Sequence, residues 1–204
     1  LWGIGFLYKS ENENGYQKSL KKFIGVKDMN KKNNTFVNCR SWLFAPASNP
    51  KLLYSAPVYN PDAIVFDLED AVALREKEDA RELLIEAFKS VNYGKIPIFA
   101  RVNSIKTPFG FDDIECLVKA GIRNLRVPMC DTPEEIKEID EFLNKIESEN
   151  NIEKGSVVIA AALETPIGVY NAYKIATASN RVIGISLGAE DFTRCLGIER
   201  TKDE

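Results

Sequence analysis

The chain has 204 residues, 45% of them hydrophobic and 28% charged, enough to bury one sizeable core. Its net charge of −3 gives no support for a nucleic-acid partner, and zero histidines exclude the usual zinc sites, Ser-His-Asp or Cys-His catalysis and any imidazole base. No segment has the length or flanks of a membrane span or signal peptide, and Cys39, Cys116, Cys130 and Cys195 lack any C-x-x-C pair, so they read as reduced thiols of a cytoplasmic protein.

Residues 1–38 differ from everything after them. Asn and Lys dominate, and residues 1–39 hold seven lysines against three acids, leaving −7 for the remainder of the chain. The expectation is a basic, poorly ordered leader over 1–38 and one catalytic domain over 39–204. From Arg40 a βα rhythm sets in, with strand-like runs at Ser41–Ala45, Ala63–Leu68, Ile96–Val102, Asn124–Met129, Val157–Leu163 and Val182–Leu187. Between them, Glu76–Val91 places Ala80, Leu83, Leu84, Ala87, Phe88 and Val91 on one helical face. Thr132-Pro133 with Glu135 is a capping box for a helix running to Ile146, and Thr165-Pro166 opens another with Val169, Tyr170, Tyr173 and Ala176 expected to face inward. Strand–helix alternation at this spacing means parallel βαβ units. No G-x-G-x-x-G follows the first strand, so a dinucleotide fold is not indicated. The expected fold is a (β/α)8 TIM barrel, truncated after the sixth strand. An open sheet of this kind exposes apolar edges, so the chain alone is expected to be poorly stable and weakly active.

Two of these strands stop on carboxylates: Val157–Pro166 at Glu164 and Val182–Asp191 at Asp191. Strand C-termini are where such barrels build their sites, and two oxygen ligands without histidine point to a hard cation such as Mg²⁺. Thr165 already caps the following helix, which leaves Glu164 surplus to helix initiation. Asp67-Leu68-Glu69-Asp70 sets three acids in four positions at another strand end, read either as a solvated cap or as a functional cluster. Arg101 ends the third strand as a candidate clamp for a carboxylate, the alternative being a salt bridge to Asp67 or Glu69.

Arg40-Ser41-Trp42-Leu43-Phe44-Ala45-Pro46-Ala47, Phe66-Asp67-Leu68-Glu69-Asp70-Ala71-Val72, Arg101-Val102-Asn103, Leu163-Glu164-Thr165-Pro166 and Leu187-Gly188-Ala189-Glu190-Asp191 occur in the order found in the HpcH/HpaI aldolase and citrate lyase β-subunit family, which this chain resembles over roughly residues 40–200. The resemblance implies a Mg²⁺-dependent carbon–carbon lyase: Glu164 and Asp191 as metal ligands, Arg101 and the amides around Gly188 and Ala189 holding the oxo-acid carboxylate, with Glu164 also lining the substrate. It further implies cleavage of a citryl thioester to oxaloacetate and an acetyl thioester, an acyl-carrier (gamma) subunit bearing the thioester, an alpha subunit that loads it, and homo-oligomeric assembly. The general base is expected among Asp67, Glu69 and Asp70. Met129 stands where many members carry Lys after Pro, one cation fewer. Two alternatives share the scaffold: a malyl-CoA-type lyase or thioesterase on free CoA thioesters, and a non-catalytic binding subunit.

Overall fold

The structure, a computed structural model, describes residues 6–7 and 39–198. The expected poorly ordered leader therefore lies outside the described residues, apart from strand β1 (Phe6–Leu7). Six parallel strands follow: β2 (Trp42–Pro46), β3 (Ala63–Asp67), β4 (Ile98–Arg101), β5 (Asn124–Val127), β6 (Val158–Leu163) and β7 (Val182–Leu187). The helices are α1 (Pro50–Ser55), α2 (Lys77–Ser90), α3 (Gly110–Lys119), α4 (Pro133–Glu149), α5 (Pro166–Tyr170), α6 (Ala172–Thr177) and α7 (Ala189–Leu196). The backbone of β1 runs antiparallel to β7, opposite Ile185 and Ser186.

Strand order in the sheet is β1-β7-β6-β5-β4-β3-β2, so the six parallel strands lie in chain order without reversal. Right-handed crossovers in one direction keep every helix on the same side, the winding of a barrel rather than of a doubly wound sheet. The core bears this out. Ile64, Phe66, Leu125, Ile159 and Leu163 point toward the helices and pack with Leu84, Ile114, Ile139 and Ile175, whereas Val65, Phe99 and Ala160 form a separate small cluster with Trp42 and Ile183 on the other face. That second face is the barrel interior. Six strands are two fewer than the eight of a closed (β/α)8 barrel.

Side-chain phase on the interior face is set by register. Pro46, Asp67, Arg101, Arg126, Ala160 and Gly184 are successive cross-strand partners and form one row. A β-bulge where Ile159 and Ala160 face Val182 and Gly184 inserts Ile183 and thereby turns Ser186 and Gly188 inward.

The capping box is as expected: the Thr132 hydroxyl accepts from the Glu135 amide and the Glu135 carboxylate accepts from the Thr132 amide. The Thr165 helix is a correction. It breaks at Asn171 into α5 and α6, and Val169, Tyr170 and Tyr173 are exposed, at 38%, 81% and 56%, while Gly168 and Ile175 are buried. The Asn171 side-chain amide donates to the Asp131 carbonyl (2.9 Å), which draws the chain in at the break and rotates α6 so that Ile175 meets the core.

Candidate active site

The carboxylate of Asp67, buried at the end of β3, closes the turn that follows by accepting from the amides of Glu69 (2.8 Å) and Ala71 (3.0 Å). It also takes one edge of the Arg101 guanidinium, through Nε (2.7 Å) and Nη2 (2.5 Å). Of the two readings of Arg101, the salt bridge is therefore present, and its bidentate edge belongs to Asp67. The remaining Nη1 faces Glu69 Oε2 at 3.0 Å and Asp70 at 3.5 Å, the former an ion pair without hydrogen-bond alignment. Three acids around one guanidinium leave the cluster with surplus negative charge.

That surplus is distributed unequally. Asp67 is committed to Arg101 and to the turn, and the Asp70 side chain is 60% exposed. Burial pushes the Glu69 carboxyl up to about 7; Arg101 opposes the rise, and the charges of Asp70, Glu164 and Asp67 add to it. A carboxyl pushed up to about 7 exchanges its proton near neutral pH, as a general base requires.

Glu164, 3% exposed just beyond β6, accepts from the Met129 amide at 2.8 Å. Met129 adopts a left-handed φ of 52°, which presents that amide to Glu164 while its carbonyl accepts from Lys106 Nζ at 3.3 Å. Lys106 also pairs with Asp131 (2.5 Å) and Glu135 (2.9 Å). An ammonium thus reaches the Met129 backbone from the β4–α3 loop although residue 129 itself supplies none. Lys106 was not legible as a site residue, because nothing at sequence level links that loop to the end of β5.

Gly188 lies against Glu164. A β-carbon there would come within 2.4 Å of Glu164 Cγ and 2.8 Å of its Oε1, so only glycine lets the carboxylate occupy the mouth of the β7–α7 turn. The Gly188 amide donates to the Leu163 carbonyl (2.9 Å). Ala189 is the first residue of α7, where an amide has no intrahelical carbonyl. Asp191 follows in the first turn, paired with Arg194 three residues on. Among the described residues no group of three or more His, Cys, Asp or Glu side chains is arranged to hold a metal.

A second arginine sits under this rim. Arg126 is 4% exposed, with its guanidinium carbon 5.5 Å from the Phe44 ring centroid. Burial draws its pKa below the ordinary arginine value; the charge of Glu164 counters this and that of Arg101 reinforces it. The motif Arg126-Val127-Pro128-Met129 contained this residue, but only register shows that it faces the interior beside Arg101.

Strand ends β3, β4, β5, β6 and β7 thus converge on one rim carrying Glu69, Arg101, Arg126, Glu164 and Gly188. The family described as HpcH/HpaI aldolase/citrate lyase matches residues 40–204. The chain belongs to this family. The citrate lyase subunit beta of Haemophilus influenzae is 42% identical over 164 residues, covering 80% of this chain and 56% of that protein. More distantly, the L-malyl-CoA/beta-methylmalyl-CoA lyase of Cereibacter sphaeroides is 32% identical over 79% of this chain and 52% of that enzyme. Among solved structures, the citrate lyase beta subunit of M. tuberculosis complexed with oxaloacetate and magnesium superimposes with a TM-score of 0.67 at 25% identity, covering 84% of this chain and 68% of that one. The chain spans about half the length of the curated relatives it matches. Membership agrees with the order of the five motifs, and the solved relative confirms the barrel architecture expected from the strand–helix rhythm.

Proposed function

We propose that this chain is the catalytic part of a Mg²⁺-dependent carbon–carbon lyase, a citrate lyase β subunit, that cleaves citryl–acyl carrier protein to oxaloacetate and the acetyl thioester. The observation that carries this reading is the buried Glu164 carboxylate seated against Gly188 at the same rim as Arg101 and Glu69. The higher identity to a citrate lyase subunit beta than to a malyl-CoA lyase favours the carrier-bound citryl substrate over free CoA thioesters.

The residues present suit a hard divalent cation. Glu164 is held by a single backbone amide, and only a glycine at 188 leaves its carboxylate room. Glu164 and Asp191 would hold the ion, with Glu164 also lining the bound oxo acid, and when bound the ion supplies Lewis-acid polarisation of the hydroxyl that becomes a ketone. Arg101, its far edge anchored by Asp67, offers Nη1 to the substrate carboxylate, displacing the looser contacts to Glu69 and Asp70. The Ala189 amide, at the start of α7, adds a donor for the same group. Freed of Arg101, the Glu69 carboxylate accepts the proton of the tertiary hydroxyl. The bond between the carbinol carbon and the thioester methylene then breaks, its electron pair passing into the thioester carbonyl as an enolate, which takes a proton to become the acetyl thioester. The reading includes an alpha subunit that loads the carrier, a gamma carrier subunit, homo-oligomeric assembly and a cytoplasmic location. Among the described residues no helix is long and apolar enough to cross a membrane.

The test is oxaloacetate release from citryl–carrier protein, followed by its reduction to malate with consumption of NADH. Release that requires Mg²⁺ and disappears in Glu164→Gln is expected. Release from Glu164→Gln at the wild-type rate would overturn the metal site, and faster cleavage of malyl-CoA than of the citryl carrier would move the chain to the malyl-CoA reading.

A further inference from the structure

The two oxygens of the Glu164 carboxylate are treated differently. Oε2 accepts from the Met129 amide at 2.8 Å, while Oε1 lies against Gly188 at the β7–α7 turn. Where the Met129 peptide sits therefore decides how the carboxylate is turned. Met129 has the left-handed φ of 52°, a conformation that a residue with a side chain keeps when its surroundings hold it there. Its carbonyl is held by Lys106, whose Nζ donates to it at 3.3 Å.

A second path leads from the same ammonium to the other side of Glu164. Lys106 Nζ donates to Asp131 Oδ2 at 2.5 Å, and Asp131 Oδ1 accepts from the hydroxyl of Thr165, the residue after Glu164. That hydroxyl in turn accepts from the Gly168 amide (3.0 Å) at the start of α5. Glu135 closes the network. Its Oε1 pairs with Lys106 at 2.9 Å, and its Oε2 accepts from the amides of Asp131 (2.8 Å) and Thr132 (3.2 Å). Without the ammonium, the two carboxylates that share it would repel each other and loosen the loop between β5 and α4.

The loop from which Lys106 projects is itself anchored. Asn103, 3% exposed, donates to Asp113 through its backbone amide (2.9 Å) and its side-chain amide (2.6 Å), and Arg81 pairs with Asp113 at 3.0 Å. Gly110 packs so closely that a β-carbon there would come within 2.5 Å of the Ser104 carbonyl oxygen. A cation on a fixed loop that reaches both flanks of a carboxylate is placed to orient that carboxylate.

We propose that Lys106 is a positioning residue for the metal site, orienting the Glu164 carboxylate through the Met129 amide and through Asp131 and Thr165. This rests on the reading of Glu164 as a magnesium ligand and deepens it. Lys106 acts through Glu164 rather than on the ion. Its charge by itself opposes a nearby dication, so loss of repulsion and loss of positioning change Mg²⁺ affinity in opposite directions when it is removed.

The experiment is calorimetric titration of the 204-residue chain with Mg²⁺ at fixed, saturating oxaloacetate, with the melting temperature of metal-free protein measured alongside. Lys106→Met is expected to weaken Mg²⁺ binding roughly 10–100-fold. Relief of repulsion alone would tighten it. A merely structural role would lower the melting temperature and leave the affinity of the folded protein unchanged. Either of those results overturns the proposal and leaves the lyase reading standing. The double variant Lys106→Met/Asp131→Asn removes one charge of each sign and leaves Thr165 its acceptor. Weaker Mg²⁺ binding is expected there too, wild-type affinity would overturn the positioning role, and this variant decides the matter if Lys106→Met does not fold. In Glu164→Gln, adding Lys106→Met is expected to cause no further loss; a further loss would mean that Lys106 acts by another route. Wild-type protein that binds no Mg²⁺ in the presence of oxaloacetate overturns the lyase reading and this proposal with it.

Discussion

Glu69 is the residue at which burial and charge act most visibly. A folded pKa of about 7 against the usual glutamate value of 4.5 means that its contribution to stability is full below pH 4.5 and declines as pH rises through 7. In Mg²⁺-free buffer, Glu69→Gln is therefore expected to melt above wild type at pH 8 and together with it at pH 4.5, read by thermal denaturation at the two pH values. The same substitution removes the proposed base and should lower turnover by roughly 10²–10⁴-fold. Higher stability combined with unchanged turnover would move the base elsewhere in the cluster. Gly188 acts by absence: the β-carbon of Gly188→Ala would overlap Glu164 Cγ and displace the carboxylate. Mg²⁺ affinity measured by calorimetry is expected to fall roughly 10–100-fold, the scale seen when a ligand's support is disturbed.

At the scale of elements, α4 shows what local chemistry can specify. Thr132, Pro133 and Glu135 form a capping box in sequence and in space, and Ile136, Ile139, Leu143 and Ile146 are buried as their period requires. Thr132→Ala should cost about 1 kcal/mol, seen as a lower urea midpoint with an unchanged slope. A change in slope would instead indicate an altered unfolded state. The Thr165 helix shows the opposite, since its inward face depends on a tether from Asn171 to a carbonyl forty residues away. Helix α3 is unanticipated, although Phe111, Ile114, Leu117 and Val118 are spaced for one. The bulge in β7 was not foreseen in Val182–Leu187, read simply as a strand, yet it turns Ser186 and Gly188 to the interior.

Across the whole molecule, the end of the sheet opposite the site is held by ion pairs. Arg181, 5% exposed, grips Glu147 through Nη1 (2.7 Å) and Nη2 (2.6 Å), reaches Asp140 through Nε (2.6 Å), and so joins the entry of β7 to α4. Burial would raise the Glu147 pKa, but the hydrogen bonds from Arg181 and from the amides of Gly155 and Val157 hold it below its ordinary value. A lowered pKa stabilises above the unfolded value and is lost as pH falls through the folded one, so this network weakens in acid. Arg181→Met leaves Glu147 buried and uncompensated, and should cost roughly 3–5 kcal/mol at pH 7 by chemical denaturation, the loss shrinking as the medium is acidified. A loss below 1 kcal/mol would mean that water enters and solvates Glu147.

The amino-acid sequence determined which residues lie at the strand ends, because apolar runs that stop on Asp67, Arg101, Glu164 and the Gly188–Asp191 turn are local patterns. It also determined the fold class, since strand–helix alternation leaves parallel winding as the economical solution. It did not determine what those residues do to one another. That Asp67 takes the bidentate edge of Arg101, that Lys106 reaches the Met129 carbonyl and that Arg126 lies beside Arg101 all depend on contacts between chain positions separated by 23 to 34 residues, and the burial that pushes Glu69 up is equally a product of the tertiary structure. Register decided the cross-strand contacts among them. A shift of one residue in a strand exchanges its two faces, and no local pattern in a doubly buried apolar run records which face is inward.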